Sequence, residues 1–322
     1  MMRWESQRPV HEGAGEGWRG RVILGFAVLA VGWFFGTTGR ADDAHPFRIG
    51  LSRRASGDVK HNDAKAAFRA WARTILAERS MIQDADAVIL ETQAEIRAAA
   101  LSAEFDGIAT STTEFLELGV EPESLFLTVR GGKIAQSYVI VVPRESPITG
   151  LADLLGKKIL VPSSPRMELA KSWLTVAMDG AVDKSTPGTL TLDPIATATK
   201  AVLRVFFRQA AASLVTAPAL AMAAELNPQV ASQVRAIATS PEVVTGVFFL
   251  NPRLAPDLRI SVERTITTLH DSPSGRQVLT VFQADRMERR SLADLAATRA
   301  LLQEARALTS RVQETSKGGE KP

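Results

Sequence analysis

The sequence predicts an α/β protein of two lobes, preceded by an apolar segment. Short β-type runs alternate with helical runs from Phe47 to about residue 250, which is typical of βα units around parallel sheets. Pro143 and Pro147 mark a change of direction between two such series. With 322 residues, 45% of them apolar, the chain is long enough for two domains.

Composition excludes several classes of function. Lys and Arg total 38 against 35 for Asp and Glu, so the net charge of +3 leaves no electrostatic footprint for nucleic acid. The chain has no cysteine, which rules out disulfides, thiolate nucleophiles, iron–sulfur clusters and a lipid-modified cysteine. We therefore expect no nucleic-acid partner.

Residues 1–41 have the pattern of a secretory signal. An unbroken run of 14 apolar or glycine residues, 22–35, follows Arg19 and Arg21. Gly39 and Ala41 fit the small positions of a cleavage site. A spanning helix usually needs about 20 apolar residues, which favours cleavage over an uncleaved membrane anchor. Cleavage would leave a nearly neutral protein outside the cytoplasmic membrane.

The first part of lobe 1 is predicted over residues 42–142. Asn62 or Asp63 caps a helix that places Phe68, Trp71 and Ile75 on one buried face. Thr92 with Glu95, and Ser111 with Glu114, form capping boxes that start two further helices. The strands before these helices are predicted at 47–51, 88–91 and 106–110. A pair of strands, 125–130 and 137–144, is expected to be joined at Gly131–Gly132.

Lobe 2 is predicted over residues 143–240. Ser164 caps a helix with Pro165 in its first turn, and Leu169, Trp173 and Val176 face inward. The predicted strands are 157–161, 189–193 and 212–216; the other helices are 197–207 and an alanine-rich helix ended by Asn227–Pro228.

The remaining chain is predicted to complete lobe 1 and its C-terminal helices over residues 241–312. Strands are expected at 234–240 and 245–250, with helices from Pro256 to about Val312. Arg286, Arg289 and Arg290 are interpreted as a solvated helix face. Residues 313–322 are polar and rich in charge and glycine, which predicts a disordered tail.

Candidate binding residues lie where the strands end, because ligands of open parallel sheets bind beyond the carboxyl ends of the strands. Hydroxyls and free N–H groups at helix starts, together with arginines, favour an anion. For any single hydroxyl, helix capping is the simpler explanation, and this alternative stays open; the recurrence of hydroxyls at one end of both lobes favours a ligand site. Tyr138 is either a cleft residue or a half-buried sheet residue. The candidates are Ser52, Arg53, Ser111, Thr112, Tyr138, Ser163, Ser164, Arg166 and Thr216.

The order of several segments resembles a known family. The segments are FRIGLS, DGIATSTTEFLELG, SPITGLADLLGKKILVP, SSPRMELAKSWL, AELNPQ and LHDSPSGRQVLTVF. In this order they resemble the solute-binding proteins of phosphate, phosphite and phosphonate ABC transporters. That resemblance implies the type 2 periplasmic binding protein fold, with two Rossmann-like lobes joined by crossover strands. It places the crossings near Pro143 and Ser240, and it matches Ser111, Thr112, Ser163 and Ser164 to the family's anion loops.

Catalysis has no positive support in the sequence. No two histidines have metal-ligand spacing on one helix, and neither a nucleophile elbow nor a phosphate loop is present, so no metal or cofactor is expected. Ser272 is interpreted as a helix cap with Pro273 following it, instead of a triad member. The side chains interpreted as core are Phe206, Phe207, Met222, Phe248 and Phe249.

The expected function is capture of a small anionic ligand in the periplasm for delivery to an ABC transporter permease. The alternative is an extracytoplasmic sensor of the same fold that acts on a membrane receptor kinase. The expected partners are accordingly the ligand and one membrane protein.

Overall fold

The computed structural model describes residues 47–55, 59–77, 85–182 and 189–318. The predicted signal segment, 1–41, lies outside the described residues. The strands are β1 Phe47–Ser52, β2 Ala85–Leu90, β3 Gly107–Ser111, β4 Leu125–Val129, β5 Tyr138–Pro143, β6 Lys158–Pro162, β7 Thr191–Ile195, β8 Ala212–Thr216, β9 Val234–Thr239, β10 Gly246–Leu250 and β11 Arg286–Arg290. The helices are α1 His61–Ala77, α2 Gln93–Leu101, α3 Thr112–Leu118, α4 Glu168–Ala181, α5 Ala198–Phe206, α6 Ala217–Leu226, α7 Pro228–Gln233, α8 Pro256–Thr267, α9 Pro273–Val281 and α10 Ala296–Gly318.

Two mixed sheets confirm the predicted two-lobed α/β class. Lobe 1 contains the sheet β11-β4-β10-β3-β1-β2, in which β1 runs parallel to β2 and β3 while β10 and β11 make antiparallel pairs. Lobe 2 contains the sheet β7-β6-β8-β5-β9, with β6 parallel to β7 and β8 and antiparallel pairing at β5. The sheets are therefore not purely parallel: β5 and β10, which arrive by crossing from the other lobe, pair antiparallel with β8 and β3, and the edge strand β11 pairs antiparallel with β4.

The predicted hairpin between the fourth and fifth strands is wrong. Gly131 and Gly132 do adopt positive φ angles of 55° and 76°, and Arg130 bridges Lys133 across this turn. The strands on either side nevertheless join different sheets. The first crossing therefore lies between Val129 and Tyr138, before the predicted boundary at residue 143. The reason is that β5 is buried on both faces, so it fits the centre of the second sheet and not the edge of the first.

The two crossing segments pair with each other. The chain returns to the first sheet between Thr239 and Gly246. Along these segments, Gln136 and Val243 exchange both backbone hydrogen bonds, at 3.0 and 2.8 Å. Two adjacent extended segments thus join the lobes.

Local capping follows the sequence closely. Ser111 accepts a hydrogen bond from the Glu114 amide, and the Glu114 carboxylate accepts one from the Ser111 amide, which completes the predicted capping box of α3. Ser272 caps α9 as expected, with Pro273 at its first position. At α2, Thr92 accepts from the Glu95 amide. The Glu95 carboxylate, however, accepts from Glu91, so only half of that predicted box forms.

Three other predictions about local structure are wrong. Arg286, Arg289 and Arg290 lie on strand β11, paired with β4, and not on a helix. Phe207 and Met222 are 61% and 55% exposed: Phe207 caps the C-terminal end of α5, and Met222 lies on α6, where Ala223 is the buried residue. Helix α10 runs to Gly318, into the stretch predicted as a tail, because its sequence contains no proline and its first glycine is Gly318.

Among the described residues, four apolar clusters form the cores. Two lie on opposite faces of the lobe 1 sheet and two on opposite faces of the lobe 2 sheet. The cluster beneath α1, α8 and α9 contains Phe47, Trp71, Phe126 and Phe248. Helix α10 contributes Leu301 and Leu302 to a lobe 2 cluster, so the C-terminal helix packs against the second lobe.

Candidate functional site

A cavity of ≈ 110 Å³ lies on the face of the lobe 1 sheet that α1 and α9 cover. Leu51 and Ala109 on the sheet, Phe68 on α1 and Leu279 on α9 contribute to its walls. Residues Pro165 and Arg166 of lobe 2 complete the lining. Residues of both lobes therefore line the cavity, so a movement of one lobe toward the other would change its lining.

Five aromatic rings form a continuous wall of this cavity. Phe68 contacts Phe282 and Trp71, with ring centroids 4.9 and 5.8 Å apart. Trp71 contacts Phe248 at 5.2 Å, and Phe248 contacts Phe126 at 6.2 Å. Edge-to-face and tilted pairs at these separations are favourable, so the wall is a stable apolar surface. Phe248, interpreted from sequence as core, is buried and lines the cavity as well.

The charged residues that line the cavity are all cationic. Arg54, Arg130 and Arg166 line it, and no Asp or Glu is among the described lining residues. Arg130 donates to Thr128 Oγ1 at 3.1 Å and to the Phe282 carbonyl at 3.2 Å. Burial, together with the nearby charge of Arg166, lowers the pKa of Arg130 to about 10. Two guanidinium groups from different lobes therefore repel each other at one site, which favours an anion there.

Three buried polar groups of residues that line the cavity lack hydrogen-bond partners among the described residues, and one of them is Thr110 Oγ1. Within the described residues, neither Trp71 Nε1 nor Arg130 Nε has a hydrogen-bond partner. Trp71 is only 2% exposed, so water outside the protein does not satisfy its indole N–H. Both groups can only donate, and a ligand that carries acceptor oxygens would satisfy them.

Two of the residues predicted to hold the ligand, Ser52 and Ser111, already form hydrogen bonds within lobe 1. Ser52 Oγ donates to Glu114 Oε2 at 2.5 Å, and the Ser111 amide donates to the same oxygen at 2.9 Å. The carboxylate of Glu114 therefore occupies the position that an incoming anion would take at these two groups. Ser111 still lines the cavity, whereas Ser52 is fully buried away from its lining.

An ion pair crosses from one lobe to the other beside this network. Arg54 Nη1 of lobe 1 donates to Glu168 Oε1 of lobe 2 at 2.8 Å, and Arg54 Nε lies 3.8 Å from Glu114. Burial raises the pKa of Glu168 despite the opposing effect of Arg54, and the nearby charge of Glu114 raises it further. The pair thus links the lobes at an energetic cost to the buried carboxylate.

The other predicted site residues are spread around the cleft and do not line the cavity. Arg53 pairs with Glu91 at 2.7 Å on the surface. Thr112 is fully buried. Tyr138 is fully buried on β5, where its hydroxyl donates to the Arg166 carbonyl at 2.7 Å, and burial raises its pKa. Tyr138 therefore supports the segment that carries Arg166.

The remaining predicted hydroxyls cap helical segments or face outward. Ser164 accepts from the Arg166 amide at 3.2 Å, and Thr216 accepts from the Ala219 amide at 3.3 Å. Ser163 is exposed. Arg166 lines the cavity and donates to Gln283 of lobe 1 at 2.9 Å. The structure thus brings together Ser111 and Arg166 of the nine predicted residues at this cavity.

Comparison with known proteins identifies the family. A family model for the periplasmic substrate-binding protein of phosphonate ABC transporters matches residues 59–295. The chain belongs to this family. The resemblance found in the sequence is thereby confirmed, and the family is one of transport proteins, not of enzymes.

Solved structures share the fold of this phosphonate-family protein. XAC2383 from Xanthomonas citri bound to chloride ion matches with a TM-score of 0.60 at 13% identity, covering 82% of this chain and 99% of that one. The same protein bound to ATP matches at 0.61 and 11% identity, covering 83% and 99%. PhnD1 from Prochlorococcus marinus in complex with methylphosphonate matches at 0.53 and 12% identity, covering 79% and 96%. No curated protein matches.

Family membership also bears on where this substrate-binding protein works, since the family is periplasmic. In the described part of the chain, none of the helices has both the length and the apolar character needed to cross a membrane.

Sequence reasoning missed most of the cavity wall. Arg130 follows a strand that was assigned to a hairpin, and Trp71 and Phe68 were interpreted only as the buried face of a helix. The signals available in the sequence were the aromatic residues on one face of that helix and a single arginine at the end of a distant strand. Neither periodicity nor motif spacing shows that these residues belong to one site.

Proposed function

We propose that this protein binds a small organic oxyanion of the phosphonate or sulfonate type beside Arg130 and Arg166 and delivers it to an ABC transporter permease. The family match supports the transport role. The three arginines that line the cavity, Arg54, Arg130 and Arg166, support a negatively charged ligand. We further propose that residues 1–41 form a cleavable export signal.

One observation carries the choice of an anion. Arg130 of lobe 1 and Arg166 of lobe 2 line the same cavity, and the charge of Arg166 adds to burial in lowering the pKa of Arg130. An oxyanion between them would replace repulsion with two charge-assisted interactions. Because the two groups belong to different lobes, the same anion would stabilise the closed arrangement over an open one.

Calorimetry on the purified protein tests this proposal. Phosphate, phosphite, methylphosphonate, phenylphosphonate and methanesulfonate are titrated separately, and at least one organic oxyanion should bind. Arg166→Gln should weaken that binding at least tenfold, since a hydrogen bond to a charged group contributes about 1.5–3 kcal/mol.

The matched control is Arg53→Gln. Arg53 is another arginine of the predicted cleft, but its Nη1 pairs with Glu91 and it does not line the cavity. Its replacement should leave binding within about twofold of the original value, as for a surface ion pair. Equal loss in both variants, or no binding of any oxyanion, would contradict the proposal. The family match gives no support to the sensor alternative.

A further inference from the structure

We infer that the ligand is an amine-free oxyanion carrying a compact hydrocarbon group of about four to six carbons, which is buried against the aromatic wall of lobe 1. This inference rests on the proposed function and defines its ligand class. It separates the expected ligand from inorganic phosphate, from methylphosphonate and from aminoalkylphosphonates.

The first support is the lining of the cavity. The five aromatic rings, together with Leu269, Leu279 and Met287, present an apolar surface far larger than an inorganic anion requires. A bare oxyanion in this cavity would leave that surface without a partner. A hydrocarbon group would fill it and remove apolar area from water.

The second support is the size of the cavity. A dry apolar cavity of about 150 Å³ holds benzene, so ≈ 110 Å³ suits a branched or cyclic group slightly smaller than benzene, or a ring after small side-chain shifts. A single methyl group would leave most of this volume empty.

The third support is the charge pattern. An aromatic wall by itself also suits a cationic group through cation–π contact. Here the three lining charges are Arg54, Arg130 and Arg166, and the described lining contains no carboxylate to pair with an amine. The nearby carboxylates of Glu114 and Glu168 are already engaged by Ser52, Ser111 and Arg54. The Asp285 carboxylate, which raises the pKa of Arg130, lies outside the lining and accepts from the Gly132 amide at 3.4 Å. A cationic amine in the cavity would therefore meet three lining guanidinium groups and no carboxylate of the described lining.

The fourth support is the pair of unpartnered donors. Trp71 and Arg130 line the cavity, and their Nε1 and Nε atoms, like the hydroxyl of the lining residue Thr110, are buried without a partner among the described residues. Acceptor oxygens of a phosphonate or sulfonate head group would satisfy such donors, while its hydrocarbon group contacts the rings beside them.

The test compares affinities within one series by calorimetry. Butylphosphonate and phenylphosphonate should bind at least tenfold more tightly than methylphosphonate, since each buried methylene contributes about fourfold before ordering costs. 2-Aminoethylphosphonate should bind more weakly than propylphosphonate, its isostere in size. Benzenesulfonate, measured beside phenylphosphonate, distinguishes a sulfonate from a phosphonate source.

Cavity-filling variants locate the hydrocarbon group. Ala109 lies on β3 against the cavity, and Ala109→Val adds two methyl groups to its interior. The ratio of the phenylphosphonate to the methylphosphonate affinity should fall at least fivefold. Ala55→Leu fills the same cavity from the β1–α1 connection and replaces Ala109→Val if that variant does not fold. The matched control, Ala238→Val on β9, lies outside the cavity and should keep the original ratio.

The outcomes separate the two proposals. Methylphosphonate or phosphate binding at least as tightly as the larger ligands would overturn this inference and leave the proposed function standing. Tighter binding of 2-aminoethylphosphonate than of propylphosphonate would overturn it likewise. Absence of binding by every oxyanion would overturn both.

Discussion

Replacing Arg130 of the cavity should weaken ligand binding while the free energy of unfolding stays nearly unchanged. In Arg130→Met, the apolar stem is kept and the charge is removed. Burial and the charge of Arg166 lower the pKa of Arg130 to about 10, well below the usual value of a guanidinium, which corresponds to on the order of 3 kcal/mol against the charged form in the folded state. Its removal also deletes the hydrogen bonds to Thr128 and Phe282. These contribute about 1.5 kcal/mol each, so the two effects nearly cancel.

The free energy of unfolding of Arg130→Met should therefore lie within about 1 kcal/mol of the original protein. Urea denaturation followed by circular dichroism measures it. Ligand affinity, measured by calorimetry with the tightest oxyanion, should fall at least thirtyfold. The original protein should also gain stability relative to the variant progressively as the pH rises above 10, because between the folded pKa and the higher pKa of the unfolded chain the unfolded state binds more protons.

Arg235→Met is the matched control. Arg235 donates to the carbonyls of Arg144, Ser146 and Ile148 in lobe 2 and is remote from the cavity lining. Its replacement should cost about 2–3 kcal/mol of stability and leave ligand affinity unchanged. If Arg130→Met is destabilised as much as Arg235→Met while ligand affinity is retained, the reasoning about the buried charge is refuted.

Three further predictions concern single groups. At pH 7, Glu168→Gln should have a larger free energy of unfolding than the original protein, and this difference should shrink on acidification. The reason is that burial raises the pKa of Glu168, so the favourable contribution of the protonated side chain is present below about pH 4.5 and lost as the pH rises. A constant difference from pH 4 to 8 in urea titrations would contradict this. Tyr138→Phe should cost about 1–2 kcal/mol and weaken ligand binding several-fold, because the hydroxyl holds the Arg166 carbonyl; unchanged affinity would separate Tyr138 from the site. Gly275→Ala should cost about 3 kcal/mol, since an added Cβ would lie 1.8 Å from a backbone carbonyl oxygen. Its control, Gly180→Ala at an open helical position, should instead stabilise by about 0.5 kcal/mol in thermal denaturation.

Sequence reasoning succeeded wherever the signal was local. The cap at Ser111, the cap and proline at Ser272–Pro273 and the alternation of strands and helices depend on neighbours within a few residues, which the sequence displays directly. The order of segments also sufficed for the family.

The candidate site was predicted only in part, because its residues are distant in sequence. Ser111 and Arg166 were found because they follow strands, where ligands of α/β sheets bind. Ser52 was expected to face the ligand, but the hydroxyl bonds to Glu114 sixty-two residues away. No local pattern reveals that an internal carboxylate occupies an anion position.

The sequence by itself determined the α/β class, the helix starts, the apolar segment at 22–35 and the family. Only the tertiary structure decided that β5 belongs to the second sheet and that aromatic residues between positions 68 and 282 form one wall beside Arg130. The physical reason is that periodicity reports whether a side chain is buried, whereas an unfilled space depends on how separate elements pack. Strand order and the cavity are both set by long-range contacts, and those exist only once the chain has folded.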